Sequence, residues 1–184
     1  MFDRIKLGSE LNTEVLLKEG KKSLLSQTQE KLTRGLAINP ISVTVESKNQ
    51  GTFESKIAIR NHVLISDQPF GFHGENKGPK PSELVLAALA ACQETTFRLY
   101  AEDMGIKINA ISVSLTGIQD LTGFMGLDEK IPAGFSSIEG EVIIDSPATK
   151  EDLELLKKQV DRYCPVLDDL KRPVQVNIDV KKMK

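Results

Sequence analysis

The chain has 184 residues, 40% of them hydrophobic, and its 24 basic and 26 acidic residues are interleaved, giving a formal net charge of -2. This length suffices for one principal domain with a substantial core, and the balanced charge excludes the basic surfaces typical of nucleic-acid or acidic-membrane partners. The sequence contains no run of about 18 apolar residues and no secretory signal pattern, so we expect a soluble cytoplasmic protein.

The N-terminal part of the sequence has a helical pattern. Apolar residues recur at near-helical intervals from Ser9 to about Arg34, with an interruption at Gly20. This spacing predicts one or two amphipathic helices that end near Gly35. We treat residues 1–39 as a helical extension of the main domain.

The main domain, residues 40–184, begins with strand patterns. Period-two alternation predicts strands in "NPISVTVES", "TFESKIAIR" and "HVLIS". Arg60 and Asn61 separate the second strand from the third, which predicts a tight hairpin turn. The following segment, "DQPFGFHGENKGPKP", is dense in Gly and Pro and is typical of a loop.

A helix follows this loop. Pro81 suits the first turn of a helix, and the nine residues from Leu84 to Cys92 are all apolar. A helix that is apolar on every side is buried on every side. We therefore predict a central buried helix that ends near Gly105.

The C-terminal half predicts two long strands, a helix and a last strand. The strands are "KINAISVSLTG" and "GFSSIEGEVIID". The helix ends at Cys164 because Pro165 disfavours helical geometry in the residue before it, and "RPVQVNIDV" alternates as a strand does. The sequence thus predicts an α+β fold in which antiparallel sheets wrap around the central helix.

The two cysteines, Cys92 and Cys164, carry the chemistry that the sequence suggests. A peptide thiol is only about 3% ionised at pH 7, and the thiolate is the nucleophile. Cys92 lies too far from the helix N-terminus for the dipole to help, whereas a guanidinium about 4 Å away supplies roughly 4 kcal/mol. Arg98 faces away from Cys92, so the cation comes from elsewhere in the fold or from a second subunit.

Cys164 has a different predicted environment. A helix C-terminus presents negative potential, which raises the pKa of Cys164 and makes it a poor attacker but a reasonable resolving partner. The alternative is that both thiols are inert, since unpaired cysteines usually behave as small buried hydrophobes. Local sequence alone favours that alternative.

Two motifs give the chain a resemblance to a known family. The stretch "GPKPSELVLAALAACQ" and the downstream "CPV" resemble the signature of the family of osmotically induced protein C (OsmC) and organic hydroperoxide resistance protein (Ohr). In that family a "P-x-E-L-L-x-A-A-L-A-x-C" helix is paired with a later "C-P". The resemblance extends from about Ile41 to Val180, and "IRNHVLISDQP" is similar to the OsmC-like branch.

The resemblance implies an intertwined homodimer with sites at the interface and a cysteine peroxidase activity on organic hydroperoxides. Cys92 is then the peroxidatic thiol that forms a sulfenic acid, and Cys164 is the resolving thiol. A dithiol reductant such as a lipoyl group reopens the disulfide, and no metal or organic cofactor is implied. The alternative is a stress-associated module that binds a small apolar ligand with little or no peroxidase activity.

The resemblance departs from the family pattern beside the motif proline. Hydroperoxide reductases of the family have a glutamate there that helps to hold the catalytic arginine, and this chain has Ser82. Glu83 matches the commoner motif glutamate but points about 100° away from Ser82 on a regular helix. Arg60 is our candidate for the activating arginine; a solvated turn residue is the alternative.

The loops supply the remaining candidates. His62 and His73 lack the spacing of metal ligands, and His73 is a candidate for lining the pocket. Four apolar loop residues are candidates for an entrance for an alkyl peroxide, with ordinary core packing as the alternative: Phe70, Phe72, Phe124 and Met125.

Overall fold

The computed structural model describes residues 22–49 and 51–182. These residues form an α+β fold with two small antiparallel sheets, as predicted. The elements in chain order are α1 (Leu24–Thr33), β1 (Val45–Asn49), β2 (Ser55–Ile59), β3 (His62–Ser66), α2 (Pro81–Asp103), β4 (Ala110–Gln119), α3 (Leu121–Phe124), β5 (Phe135–Asp145), α4 (Lys150–Tyr163) and α5 (Pro165–Lys171).

Helix α1 is the described part of the predicted helical extension, and the predicted helix before Lys22 lies outside the described residues. The Ser23 hydroxyl caps α1 by accepting the Ser26 backbone N–H at 3.0 Å. The helix ends before Gly35, whose φ of 66° suits a glycine. Ser23 and Ser26 both donate hydrogen bonds to the Asp103 carboxylate, which fastens α1 to the end of α2.

Strands β1 to β3 form an antiparallel meander. The predicted hairpin turn is confirmed: Ile59 pairs with His62, and Arg60 adopts a positive φ of 54° in the two-residue turn between them. Strand β1 begins at Val45 rather than near Ile41. Within the described chain this sheet makes no extensive contact with any helix or with the other sheet.

The loop from Asp67 to Lys80 is organised around a buried carboxylate. Asp67 is 2% exposed and accepts backbone N–H groups of Gln68, Glu75 and Lys77 at 2.8, 2.9 and 3.2 Å. Burial acts to raise the pKa of Asp67, but these hydrogen bonds outweigh it and the net shift is downward. The loop that precedes α2 is therefore tied to one ionised side chain.

Helix α2 packs between the second sheet and α4. It begins at Pro81, and Glu83 caps it by accepting the Lys80 backbone N–H at 3.0 Å. Its buried residues lie along one face, whereas Val85, Ala87, Ala88 and Ala91 are exposed. Within a single chain, helix α2 is therefore buried on one face only, whereas the sequence predicted burial on every side.

The core lies where β4, β5, α2 and α4 meet. Strands β4 and β5 form a long antiparallel hairpin that presents alternate residues such as Leu115 and Val142 to α2. Helix α4, predicted to end at Cys164, has an amphipathic face, since Leu156 and Val160 are fully buried against α2. Burying one such side chain stabilises the fold by about 1.5–3 kcal/mol.

The C-terminal segment differs from the prediction. Helix α5 follows Cys164 directly, starting at Pro165, where the sequence had predicted no helix. Residues 173–182 form no strand, and their alternating apolar side chains are exposed, up to 98% for Val180. The predicted last strand is therefore wrong for the single chain, because no described strand edge hydrogen-bonds to this segment.

Candidate active site

The packing of α4 against α2 brings the two cysteines into contact. Cys92 lies midway along α2 and Cys164 lies between α4 and α5, and both thiols are free. The Cys164 Sγ donates a hydrogen bond to the Cys92 Sγ at 3.2 Å, across 72 residues of sequence. A disulfide S–S bond is about 2.05 Å long, so the two sulfurs need only a small further approach to bond.

The surroundings of Cys164 favour its neutral form. Burial raises the pKa of the Cys164 thiol, and the neighbouring Cys92 raises it further, while the Leu167 backbone N–H and the Thr96 hydroxyl lower it. An upward shift of the Cys164 pKa agrees with the expectation from the helix C-terminus, but the main cause of the shift is burial. The two lowering contacts come from α5 and from one turn further along α2.

Thr96 is a site residue that the sequence analysis missed. Its side chain is buried, and its Oγ1 donates to the Cys92 carbonyl oxygen at 2.7 Å. This hydroxyl therefore contacts the backbone of one cysteine and acts on the thiol of the other. The signal available in the sequence was its i+4 spacing from Cys92.

Arg60, the candidate activating arginine, is exposed at the β2–β3 turn. No arginine or lysine is among the groups that act on Cys164 in the described chain. Arg98 is exposed on α2. A single chain thus brings the two thiols together without a guanidinium from Arg60.

The candidate substrate-binding residues lie around the N-terminal end of α2. Ser82 lines a cavity of about 610 Å3 together with Phe72, Phe124 and Phe135. His73 lines an adjoining cavity of about 420 Å3 with Phe72, Phe124 and Met125. Glu83 caps α2, and Phe70 lines neither cavity and is 74% exposed. The loop residues thus gather into an apolar region, from which Phe70 is separate.

A third cavity, of about 590 Å3, lies beside the cysteine pair. Its lining includes Leu89 and Gln93 from α2, Leu167 and Leu170 from α5, and residues of β4 and β5. Neither cysteine lines it, although Gln93 directly follows Cys92. The sequence signal for this cavity was the polar residue that ends the apolar run of α2.

The described residues lack two further classes of site. Residues 22–49 and 51–182 contain no group of three His, Cys, Asp or Glu side chains arranged to hold a metal ion. No helix in these ranges combines the length and apolar character needed to cross a bilayer.

Comparison with known proteins gives the family of this chain. The family model for OsmC-like protein matches residues 74–179, which include both cysteines and exclude α1. None of the curated proteins matches the chain.

Solved structures share the fold. An OsmC-like protein from Mycoplasma pneumoniae is 20% identical, with a TM-score of 0.64 over 72% of this chain and 89% of its own. An organic hydroperoxide resistance protein from Legionella pneumophila is 18% identical, with a TM-score of 0.57 over 73% and 92%. Another from Elizabethkingia anophelis is 17% identical, with a TM-score of 0.54 over 74% and 93%. The family model spans more than half of the chain, and the chain therefore belongs to the OsmC-like protein family.

Proposed function

We propose that this protein is a thiol peroxidase that reduces organic hydroperoxides. The observation that carries the proposal is the 3.2 Å contact between the Cys92 and Cys164 sulfurs. Two thiols at this distance can store and release two electrons as a disulfide. Relatives of the same fold, such as that from Legionella pneumophila, are organic hydroperoxide resistance proteins.

The proposed reaction begins at Cys92, which is partly accessible, whereas Cys164 is fully buried. The Cys92 thiolate attacks the terminal oxygen of the hydroperoxide, the O–O bond breaks, and the alkoxide takes a proton and leaves as the alcohol. The resulting Cys92 sulfenic acid condenses with the Cys164 thiol, which forms the disulfide and releases water. A dithiol reductant of the lipoyl type then becomes a disulfide itself and restores both thiols.

We also propose that the working unit is a homodimer. Three apolar surfaces of the single chain lack a partner among the described residues: the Val85–Ala91 side of α2, the β1–β3 sheet, and the extended segment 173–182. An unpaired, alternating segment is suited to strand addition on a second copy. A second copy is also the source that we propose for the guanidinium that activates Cys92.

The proposed function is tested by hydroperoxide consumption in the presence of a dithiol. We expect Cys92→Ser to lose turnover by at least about a hundredfold, because the nucleophile is absent. Cys164→Ser should turn over more slowly, because the Cys92 sulfenic acid then has no resolving thiol in the chain and must be reduced by the dithiol directly. The control is Thr28→Ser, on the exposed face of α1. Equal, background-level turnover by the unmodified chain and both cysteine variants would reject the proposal.

A specific observation favours a second candidate, a stress-associated module that binds a small apolar ligand. No cation acts on Cys164 in the described chain, and Ser82 occupies the position of the family glutamate. The rate of Cys92 alkylation as a function of pH separates the two candidates. A midpoint near pH 6 favours the peroxidase, and one near the ordinary thiol value of about 8.5 favours the binding module.

A further inference from the structure

Gln93 is a buried polar residue in the wall of the cavity beside the cysteines. Its side chain is 7% exposed and belongs to the lining of the 590 Å3 cavity beside the cysteines. Within the described chain the Gln93 amide has no hydrogen-bond partner, and its atoms are accessible from the cavity. The amide therefore faces the cavity with its donors and its acceptor unused by the protein, so a ligand that enters the cavity can hydrogen-bond to them.

The cavity around this amide is built for an apolar molecule. Leu89, Leu115, Leu167 and Leu170 contribute to its walls, and its volume falls within the range of small-molecule sites. Four charged residues of its lining are exposed, namely Glu139, Glu141, Lys157 and Lys171, and Asp161 is half-buried. The charge therefore lies at the rim and the apolar surface lies around Gln93.

The chemistry of the amide selects the polar group of the ligand. A glutamine side chain offers N–H donors and a carbonyl acceptor on the same plane. A hydroxyl or hydroperoxyl group also donates and accepts, and it can satisfy both ends of the amide. A carboxylate cannot, because it only accepts.

We propose that the Gln93 cavity is a binding site for a neutral alkyl or aralkyl compound whose hydroxyl or hydroperoxyl group is hydrogen-bonded by the Gln93 amide. This inference rests on the proposed function, since such compounds are the substrate and product of the peroxidase reaction. Neither cysteine lines the cavity, so the site holds the molecule beside the thiols rather than at the reacting sulfur.

The test uses benzyl alcohol and toluene, which differ by one hydroxyl group. Binding is measured by nitrogen-15 NMR in the Cys92→Ser/Cys164→Ser chain, through the resonance of the Gln93 side-chain amide. This resonance is assigned by its absence from the spectrum of Gln93→Met. We expect benzyl alcohol to shift this resonance. Gln93→Met should weaken benzyl alcohol binding by about tenfold, the value of one hydrogen bond, and leave toluene binding unchanged.

The control variant is Gln159→Met, because Gln159 is exposed on α4 and lines none of the three cavities described above. It should leave both affinities unchanged. Gln93→Leu serves as a second variant, with thermal unfolding measured on each to show that it folds. The proposal would be overturned if Gln93→Met weakened the binding of benzyl alcohol and toluene equally. It would also be overturned if the Gln93 resonance responded to neither compound because a second copy or segment 173–182 fills the cavity.

The binding test is independent of turnover. If benzyl alcohol binds through Gln93 but the native chain consumes no hydroperoxide, the proposed function fails and this site remains. If the native chain turns over but Gln93→Met leaves benzyl alcohol binding unchanged, this site fails and the proposed function remains.

Discussion

At the scale of single residues, the environment of Cys164 suits a resolving thiol. Burial and the adjacent Cys92 keep it protonated, and a protonated thiol can donate to the Cys92 sulfur at 3.2 Å. The Leu167 N–H and the Thr96 hydroxyl offset part of this effect. Cys164 is thus neutral at rest, and the Leu167 N–H and the Thr96 hydroxyl lie beside it when it must act as a thiolate.

Thr96→Val tests this arrangement. Removing a hydroxyl that lowers the pKa of Cys164 should move the pKa further upward, so Cys164 ionises only at higher pH. The ultraviolet absorbance of the thiolate measures this in the Cys92→Ser background, where Cys164 is the sole thiol. We expect several-fold slower disulfide formation in the chain that retains Cys92, as one hydrogen bond is lost. Thr96→Ser keeps the hydroxyl and should restore both the pKa of Cys164 and the rate of disulfide formation. An unchanged titration of Cys164 in Thr96→Val would contradict the role assigned to the hydroxyl.

The sequence predicted the cysteine pair but not all of its surroundings. "CPV" fixed the end of α4 at Cys164, because the constraint of proline on its neighbour is local. Thr96 and the cavity of Gln93 depend on which side of α2 meets α5, and that is a tertiary choice. The sequence predicted that Arg60 lies in a turn, but it could not predict the distance between Arg60 and the thiols, since long-range contacts leave no local pattern.

At the scale of elements, Asp67 determines the conformation of the loop that leads into α2. Its three backbone hydrogen bonds lower its pKa, so its stabilising effect is present above the unfolded value of about 3.9 and is lost as the pH falls through the lowered folded value. We expect Asp67→Asn to lower the Tm by several degrees at pH 7. The difference from the native chain should shrink in acid.

Thermal unfolding followed by circular dichroism between pH 7 and pH 3 measures this effect. The matched control is Asp128→Asn, at an exposed carboxylate that accepts only the Lys130 backbone N–H at 2.9 Å. A difference between Asp67→Asn and the native chain that grows as the pH falls would contradict the assigned role.

Helix α4 holds Cys164 through its buried face. Leu156 is fully buried whereas the adjacent Leu155 is 53% exposed. We expect Leu156→Ala to reduce the free energy of unfolding by about 2–5 kcal/mol and Leu155→Ala to change it by less than about 0.5 kcal/mol, both measured by urea denaturation. Similar losses for the two variants would mean that α4 packs differently.

The element predictions succeeded where the pattern and the partner are both local. The alternation of "HVLIS" and the two-residue turn at Arg60 predicted β3 correctly, because its neighbour β2 is the preceding segment. The same alternation in segment 173–182 predicted a strand that the single chain does not form. A strand needs a hydrogen-bonding edge, and periodicity does not identify that edge.

At the scale of the whole molecule, the apolar surfaces left open by one chain are the reason for the proposed dimer. The proposed dimer is tested by mixing Cys92→Ser chains with Arg60→Ala chains after unfolding and refolding. If each site takes its thiol from one chain and its arginine from the other, mixed dimers have one intact site, and the mixture should recover about a quarter of native turnover. Without such sharing, the mixture stays as inactive as the separate variants.

In the proposed reaction a hydroperoxide oxidises Cys92, and Cys164 resolves the resulting sulfenic acid. The most direct measurement is to add one equivalent of an alkyl hydroperoxide to the reduced chain and to identify the products by peptide mass spectrometry. We expect one equivalent of the alcohol, loss of both thiols and a Cys92–Cys164 disulfide. In Cys164→Ser we expect a Cys92 sulfenic acid that can be trapped. Unconsumed hydroperoxide with both thiols intact would contradict it.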